Sequence, residues 1–384
     1  MKRALAVAAL LVLSCSRRRA PAPAAPSPPA PAAAATAAAT LAAHPGPDAA
    51  SATPDPRAAT LDAMLRASIP ADGPGAAVAV ALHGHSILAR GYGLADLASQ
   101  TPITTRTRFD LASVSKQFTA MVLARLQQRG LVRLTDDVRK YLPSLPVFDA
   151  RRPLRVADLA HMTSGLPDYT EALDDFDDPA HLGNDDVVTW AAQQRLGFPT
   201  GTRFEYCNTN YVLLARVLEV AGKRRFAELL AAEVLRPLGM TSVVLDQARV
   251  IPERAQGYQR AGRGWTPVRD DVPVTGDGNL FASLDDLQRW DRGLSTLLPP
   301  DDLAALLTPG QLDSGTAHDY ALGWTIGGEP DHRVADHSGA WTGTATYIAR
   351  HLDDGLTIII LSNDEGFDLE LADRIAAVMQ PALP

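Results

Sequence analysis

The sequence predicts a mixed α/β (α+β) fold, in which an antiparallel sheet is flanked by helices and carries an inserted all-helical lobe. Strand-like runs occur early in the chain, helical periodicity fills about residues 131–276, and strand-like runs return after that. Strands at both ends with helices between imply that the two ends build one sheet. A cleft between sheet and lobe would be a usual place for a ligand site.

The first elements follow from their residue spacing. Ala58–Ser68 places Leu61, Met64 and Leu65 on one helical face. Two strand-like runs, 76–82 and 86–92, are joined by His83-Gly84-His85 and predict a hairpin. A further amphipathic helix is predicted to open at Ser113.

The later elements have equally local signals. In the lobe the clearest helices are 212–221 and 226–235, and Ser283 begins a capping box for a helix through Leu294. Strands are then predicted at 320–326, 333–337, 344–350 and 356–361.

The N-terminal end is typical of an exported bacterial protein. A basic start and an apolar run over Ala4–Leu13 predict an export signal at 1–15, and Val12-Leu13-Ser14-Cys15 resembles a lipobox. Lipid attachment at Cys15 and ordinary cleavage nearby both remain open. Residues 16–56 are rich in Ala and Pro and predict a disordered linker, either a tether or a leader without a role. The folded domain is expected over 57–384.

Composition excludes some classes of function. A net charge of −8 argues against nucleic acid and against an anionic membrane surface as partners of the folded part. Membrane contact is expected only through a lipid anchor at Cys15. Two cysteines, Cys15 and Cys207, predict neither a disulfide within the domain nor structural zinc, and the histidines show no metal spacing.

Ser113-Val114-Ser115-Lys116 is the first candidate for catalysis. Of 36 basic residues only four are lysines, namely Lys2, Lys116, Lys140 and Lys223. Lysine can lose its proton when buried and arginine cannot, so a lysine three positions after a serine suggests a proton acceptor. No carboxylate lies on its own helix face. The alternative is a helix-capping serine with a solvated lysine.

Tyr206-Cys207-Asn208 is the second candidate. A tyrosine beside a lysine ammonium could shuttle a proton, and the positive charge would lower its pKa. Asn208 could donate to a substrate carbonyl. A helix cap is the alternative, and Cys207 is read as a small packing residue because no base is evident for it.

His337-Ser338-Gly339-Ala340 is the third candidate. Glycine allows a ligand to approach the backbone closely. The N–H groups of Ala340 and Ser113 could together form an oxyanion hole. His337 could donate to a substrate carboxylate or assist proton transfer.

These three segments, in this order, resemble the serine β-lactamase and penicillin-binding protein superfamily. The closer resemblance is to the class C β-lactamase-related branch, which includes D-Ala-D-Ala carboxypeptidases, D-aminopeptidases and esterases. It covers about residues 58–380, and flanking phrases agree with it: Phe109–Ala112, His161–Pro167, Pro199–Gly201 and Gly276–Gly278.

The resemblance implies roles for these residues. Ser113 would form the acyl-enzyme, and Lys116 and Tyr206 would transfer protons. Asn208 would position the substrate. The pocket would be lined by His337, Ser338 and Gly339, and Ala340 would complete the oxyanion hole. No metal or cofactor is implied. His337 stands where class C β-lactamases carry the lysine of K-T-G.

The expected activity is hydrolysis of small esters or amides, including D-amino-acid peptides, through acyl-Ser113. A β-lactamase is the alternative, and a non-catalytic binding protein of the cell envelope is an alternative of another class. An α/β-hydrolase is disfavoured because no G-x-S-x-G motif occurs. The expected partner is a small-molecule or peptide substrate in the bacterial periplasm or envelope; oligomeric state and substrate stay open.

Overall fold

The computed structural model describes residues 55–245, 250–269 and 272–379. The export signal at 1–15, Cys15 and the linker up to residue 54 lie outside these ranges, so the predictions made for them stay predictions.

The described helices begin close to the domain boundary expected near residue 57. They are α1 Pro56–Ser68, α2 Ser115–Gln128, α3 Val156–Ala160, α4 Asn184–Gln193, α5 Asn208–Gly222, α6 Phe226–Leu230, α7 Leu284–Leu297, α8 Pro300–Leu306 and α9 Leu371–Met379. A π-helical turn, Ala231–Leu235, continues α6. The 3-10 turns are Ala112–Val114, Val138–Lys140, Tyr169–Asp175 and Pro179–His181. Each of these helices is too short or insufficiently apolar to cross a membrane.

The described strands are short in the middle of the chain and long at its ends. They are β1 Ala76–Leu82, β2 His85–Tyr92, β3 Leu94–Asp96, β4 Thr101–Pro102, β5 Arg108–Asp110, β6 Val244–Leu245, β7 Gly257–Ala261, β8 Gly264–Val268, β9 Leu280–Ser283, β10 Thr325–Glu329, β11 His332–Trp341, β12 Thr344–His351 and β13 Leu356–Ser362.

The main sheet joins the two ends of the domain, as the sequence predicts. Its strand order is β10-β11-β12-β13-β1-β2, and each neighbouring pair is antiparallel. Successive side chains point to opposite faces. Val78 of β1 therefore shares a core with Leu61 of α1 and Ile375 of α9, whereas Ala77 faces the larger core that contains Trp290 of α7. The predicted antiparallel sheet flanked by helices is confirmed.

The lobe differs from the prediction in its last third. Helices and 3-10 turns fill it as far as residue 235, but β6, β7 and β8 follow before residue 276, so it is not all-helical. The β7–β8 hairpin turns at Gly262, whose φ of 60° only glycine adopts without strain. The sequence reading missed this hairpin.

Two boundaries near the site also need correction. The α-helix begins at Ser115, and Ser113 lies in the 3-10 turn that precedes it. The strand predicted from Tyr320 begins at Thr325, because the preceding residues form a tight turn closed by Ala321 N donating to Trp324 O at 2.7 Å. Gly323 of that turn has φ 74°, and a Cβ there would lie 2.8 Å from the Lys116 carbonyl oxygen.

Candidate active site

Ser113 lies in the 3-10 turn before α2, and Lys116 lies in the first turn of α2, between the sheet and the lobe. Ser113 is partly exposed, whereas the Lys116 side chain is completely buried. Lys116 Nζ lies 3.0 Å from Ser113 Oγ, and it donates to Asn208 Oδ1 at 2.7 Å and to the Asp277 main-chain oxygen at 2.8 Å. The spacing recognised in the sequence therefore brings hydroxyl and amine into hydrogen-bond distance.

The turn that carries Ser113 is held in an uncommon backbone conformation. Ala112 has φ 45°, a left-handed value that costs free energy for a residue with a Cβ. Its amide donates to Asp110 Oδ1 at 2.8 Å, and the preceding Leu111 carbonyl accepts from Thr346 Oγ1 at 2.9 Å. These bonds turn the chain sharply from β5 into α2 and leave the Ser113 side chain partly exposed.

Burial makes Lys116 a weak base. Loss of hydration lowers the pKa of Lys116 to about 8, and the negative charges of Asp277 and Asp168 oppose that shift. The α2 face offers no carboxylate, as predicted, but the fold brings these two acidic residues close from other segments. Lys116 is consequently deprotonated in a minority of molecules at neutral pH and in about half of them near pH 8.

Tyr206 lies directly beside the amine. Lys116 Nζ is 5.0 Å from the centre of the Tyr206 ring. The phenol oxygen is buried near the Ser113 hydroxyl, without a hydrogen bond of standard geometry within the described part of the chain. The expectation of a lowered pKa is wrong: burial raises the pKa of Tyr206, and nearby Asp168 and Asp277 add to the effect. Tyr206 is therefore a neutral phenol.

Asn208 begins α5 and is held from two sides. Its side-chain oxygen accepts from Lys116, and its Nδ2 donates to Asp168 Oδ2 at 2.9 Å. The Asn208 main-chain N–H donates to the same carboxylate oxygen at 2.7 Å. One hydrogen of Nδ2 thus goes to Asp168, and the second, which has no partner among the described residues, is available for the predicted contact with a substrate carbonyl.

His337 is buried on β11 and is neutral. Burial and the Lys116 charge lower the pKa of His337 to about 3. Its Nδ1 lies 2.6 Å from the Ser338 carbonyl, which can only accept, so this nitrogen carries the proton. Nε2 then accepts from the Tyr320 hydroxyl at 3.1 Å. Both ring nitrogens of His337 are thus engaged by protein groups, which makes it a poor donor to a substrate carboxylate.

Gly339 brings β11 against the Ser113 turn. A Cβ at this position would lie 2.4 Å from the Leu111 carbonyl oxygen and 3.1 Å from the Ser113 amide nitrogen. Ser338 and Ala340, on either side of Gly339, are exposed on the same strand. The strand that carries Ala340 therefore passes directly beside the Ser113 amide, as an oxyanion hole requires.

Cys207 contributes to packing. Its side chain is buried, its Sγ donates to the Leu166 carbonyl at 3.3 Å, and burial raises the pKa of the Cys207 thiol to about 12. A thiol with such a pKa is inert as a nucleophile.

Three residues of the site, Asp168, Asp277 and Tyr320, have no role that could be predicted from the sequence. Asp168 follows directly on the phrase His161–Pro167, and Asp277 lies at the centre of Gly276–Gly278. Tyr320 was hidden within a predicted strand. The one available signal for Asp168 and Asp277 is that acidic residues lie beside or within the family-like phrases. This signal does not show which acidic residues approach Lys116.

The arrangement can perform general-base and nucleophilic chemistry. It combines a reachable hydroxyl, an amine whose pKa is lowered to about 8, a neutral phenol and main-chain N–H groups. Hydroxyl and base at hydrogen-bond distance, with the base oriented by a third group, are the usual elements of an activated serine. No group of three or more potential ligands placed to hold a metal ion occurs in residues 55–245, 250–269 and 272–379.

The chain has relatives among characterised proteins. It is 30% identical over 303 residues to penicillin-binding protein 4* of Bacillus subtilis, covering 73% of this chain and 66% of that protein. It is 31% identical over 332 residues to the D-aminopeptidase of Brucella anthropi, covering 82% of this chain and 61% of that protein. The matches thus span slightly less than two thirds of each relative.

Solved structures have the same fold. The octameric penicillin-binding protein homologue from Pyrococcus abyssi superposes with a TM-score of 0.75 at 22% identity, covering 84% of this chain and 77% of that one. The D-amino acid amidase from Ochrobactrum anthropi SV3 superposes with a TM-score of 0.70 at 21% identity, covering 84% of this chain and 99% of the amidase chain.

A family model agrees with both comparisons. The model described as Beta-lactamase matches residues 68–380, which is most of the chain. The chain therefore belongs to the Beta-lactamase family and is related to penicillin-binding proteins and D-aminopeptidases.

Proposed function

We propose that this chain is a serine hydrolase that cleaves small esters or amides through an acyl-enzyme on Ser113. The observation that carries the proposal is the set of three partners around Lys116 Nζ. A neutral amine has two N–H groups and one lone pair. The two carbonyl oxygens can only accept, so they take the two N–H groups, and the lone pair is directed at the Ser113 hydroxyl.

Lys116 is accordingly the base of the first step. It takes the proton of Ser113 as Oγ attacks the substrate carbonyl carbon, and the carbonyl oxygen becomes an oxyanion facing the N–H groups of Ser113 and Ala340. Collapse of this intermediate expels the alcohol or amine, which receives a proton from Lys116 or Tyr206. In the second half, Lys116, neutral again, takes a proton from water as the water oxygen attacks the acyl carbon. The bond from that carbon to Ser113 Oγ then breaks, Oγ receives the proton from Lys116, and the acid leaves.

The relatives support small acyl substrates with D-amino-acid character. Among them are proteins named D-aminopeptidase and D-amino acid amidase, and a structural neighbour, EstCE1, is titled a hydrolase with promiscuous acyltransferase activity. The proposed substrates are therefore D-amino-acid amides or peptides and simple esters.

A β-lactamase is the second candidate, because the family fold and the serine–lysine pair suit it. Neutral His337, with its pKa near 3, argues against it, since a β-lactam carboxylate would meet no fixed positive charge at this position. The proposed location is the bacterial periplasm or cell envelope, with a lipid anchor at Cys15 as the membrane link.

A fluorophosphonate probe tests the nucleophile. We expect the wild-type chain to be labelled and Ser113→Ala to remain unlabelled. Ser115→Ala is the matched control, because Ser115 Oγ is buried on the same turn and has no hydrogen-bond partner within the described ranges. It should label like wild type. Equal labelling of wild type and Ser113→Ala would contradict the assignment.

A hydrolysis panel then tests the substrate class. It contains p-nitrophenyl esters, a D-amino-acid amide, a D-Ala-D-Ala peptide and nitrocefin, each with Ser113→Ala as control. We expect turnover of esters and D-amino-acid amides that is lost in Ser113→Ala, and slow turnover of nitrocefin. Labelling of Ser113 without turnover of any compound would favour the non-catalytic binding protein.

A further inference from the structure

Asp168 lies between two segments that meet at the site. Its Oδ2 accepts from the main-chain N–H and the Nδ2 of Asn208, at 2.7 and 2.9 Å. Its Oδ1 accepts from the N–H and the hydroxyl of Thr170, at 3.0 and 2.9 Å. The Asp168 carboxylate thus faces Asn208 with one oxygen and its own loop with the other.

The Asn208 amide has two possible orientations, and Asp168 selects one. A carboxylate can only accept, so the NH₂ group of Asn208 must point to Asp168 and its oxygen to Lys116. In the flipped orientation two oxygens would face each other at Asp168, and two donors would face each other at Lys116. Asp168 is thus the group that favours, at the Nδ2 end of the amide, the orientation in which Oδ1 faces Lys116.

The hydrogen bond from Asn208 Nδ2 to Asp168 is not needed to hold the two segments together, because Thr209 already does so. Thr209 Oγ1 donates to the Pro167 carbonyl at 2.8 Å and accepts from the Tyr169 N–H at 2.9 Å. These two bonds hold the segment around Asp168 against the start of α5. The bond from Asn208 Nδ2 to Asp168 is therefore not required to join the segments, but it does set the direction of the amide.

We infer that Asp168 is a positioning residue of the reaction proposed above: it orients the Asn208 amide, which holds Lys116 Nζ against Ser113. This inference rests on the proposed function of Ser113 and Lys116. Asp168 makes no hydrogen bond to the nucleophile or the base: it reaches Lys116 through the Asn208 amide and, at longer range, through its negative charge.

A double-mutant cycle tests the inference. Asp168→Ala and Asn208→Ala are made singly and together, and kcat and KM are measured on the best substrate of the panel. We expect Asp168→Ala to lower kcat about 10- to 100-fold with little change in KM, because small displacements of reacting groups cost this much. The double variant should be no worse than Asn208→Ala alone, within about 3-fold.

Thr170→Val is the matched control. It removes the hydroxyl bonded to the other oxygen of Asp168 and should keep the wild-type kcat. Asp168→Asn, which preserves volume, is the second variant if Asp168→Ala does not fold. We expect it to lower kcat as well, because an asparagine cannot accept from both Asn208 and Thr170 without turning a donor towards one of them.

The pH profile separates positioning from loss of folded protein. The groups facing Lys116 are the acidic side chains of Asp168 and Asp277, the neutral Cys207 and His337, and the rings of Tyr206 and Tyr211. Removing the Asp168 charge should move the acid limb of kcat/KM to lower pH, because a nearby carboxylate favours the protonated amine. A loss of folded protein would lower the rate equally at every pH.

Three results would overturn the inference: kcat of Asp168→Ala within 2-fold of wild type, losses that multiply in the double variant, or an acid limb that does not move. Failure of the proposed function is distinguishable from these. In that case Ser113→Ala would keep its rate and its label, whatever Asp168→Ala does.

Discussion

Lys116 owes its chemistry to its surroundings. It is the one lysine of four that follows a serine at helical spacing, but spacing says nothing about charge. Complete burial lowers the pKa of Lys116 to about 8. The carboxylates of Asp277 and Asp168 stabilise the protonated amine and so keep the pKa from falling further. Burial also disfavours the charged form of Tyr206, but for a phenol this raises the pKa, whereas for the Lys116 amine it lowers the pKa.

The state of Lys116 predicts how the rate depends on pH. Because the deprotonated amine is the base, kcat/KM should rise as the pH rises through the region of about 8. Lys116→Met removes the base while it fills the same buried space. It should lower kcat/KM about 10²- to 10⁴-fold, as loss of a general base commonly does. A wild-type profile that is flat between about pH 6 and 9 would contradict this assignment.

At the scale of elements, the site depends on how closely β11 approaches the turn before α2. Thr346 of β12 bonds the Leu111 carbonyl, and Gly339 of β11 lies against the same carbonyl. His337 points into the site from the same face of β11 and is held by Tyr320, from the turn before β10. Two neighbouring strands and one turn thus fix the position of the nucleophile.

Gly339→Ala tests this packing. The added Cβ would lie 2.4 Å from both the Leu111 carbonyl oxygen and Thr346 Oγ1, so backbone must move. We expect a fall in kcat of about 10²-fold or more, because the oxyanion donors separate, together with a lower melting temperature. Gly327→Ala is the control, since a Cβ at Gly327 of β10 would meet nothing within 4 Å. If both variants kept wild-type kcat, close approach of β11 would not matter.

At the scale of the whole molecule, β1 pairs with β13 inside the sheet, and these two strands come from opposite ends of the domain. This pairing places α1 and α9 on one face of the sheet, with α2, α7 and the lobe on the other. Such pairing over a long sequence separation couples the stability of the site to that of the sheet. A charged group within the sheet should therefore affect the stability of the whole domain.

Asp336 of β11 is such a group. Burial raises the pKa of Asp336 to about 6, helped by Asp319 and Asp373, while the Tyr347 hydroxyl donates to it at 3.0 Å. The folded state then binds a proton more tightly than the unfolded state. The stabilisation is complete below about pH 4 and is lost as the pH rises through about 6, the folded pKa.

Asp336→Asn should consequently stabilise the protein at high pH. The amide keeps an acceptor for Tyr347 and never ionises. We expect the free energy of unfolding to exceed that of wild type by roughly 1–2 kcal/mol at pH 8, and the difference to vanish near pH 4. Urea unfolding at the two pH values measures it. The same difference at both pH values would show that ionisation of Asp336 is not the cause.

Much of the fold could be predicted because its signals are local. The β1–β2 hairpin, α5, the Ser283 cap and most C-terminal strands follow from periodicity and turn residues. The β7–β8 hairpin was missed because its strands are short and mostly exposed, so apolar periodicity is weak. Tyr320–Trp324 looked like a strand because its residues are apolar, but they are buried in a turn.

The sequence by itself indicated the serine–lysine pair, because residues three apart in a helical turn lie on the same face. It also determined, through three motifs in order, the family to which the chain belongs. Only the tertiary structure decided the charge states of Lys116, Tyr206 and His337, because desolvation depends on what packs around a group. It alone decided that Asp168 and Asp277 approach Lys116, since contacts between distant segments have no local signal.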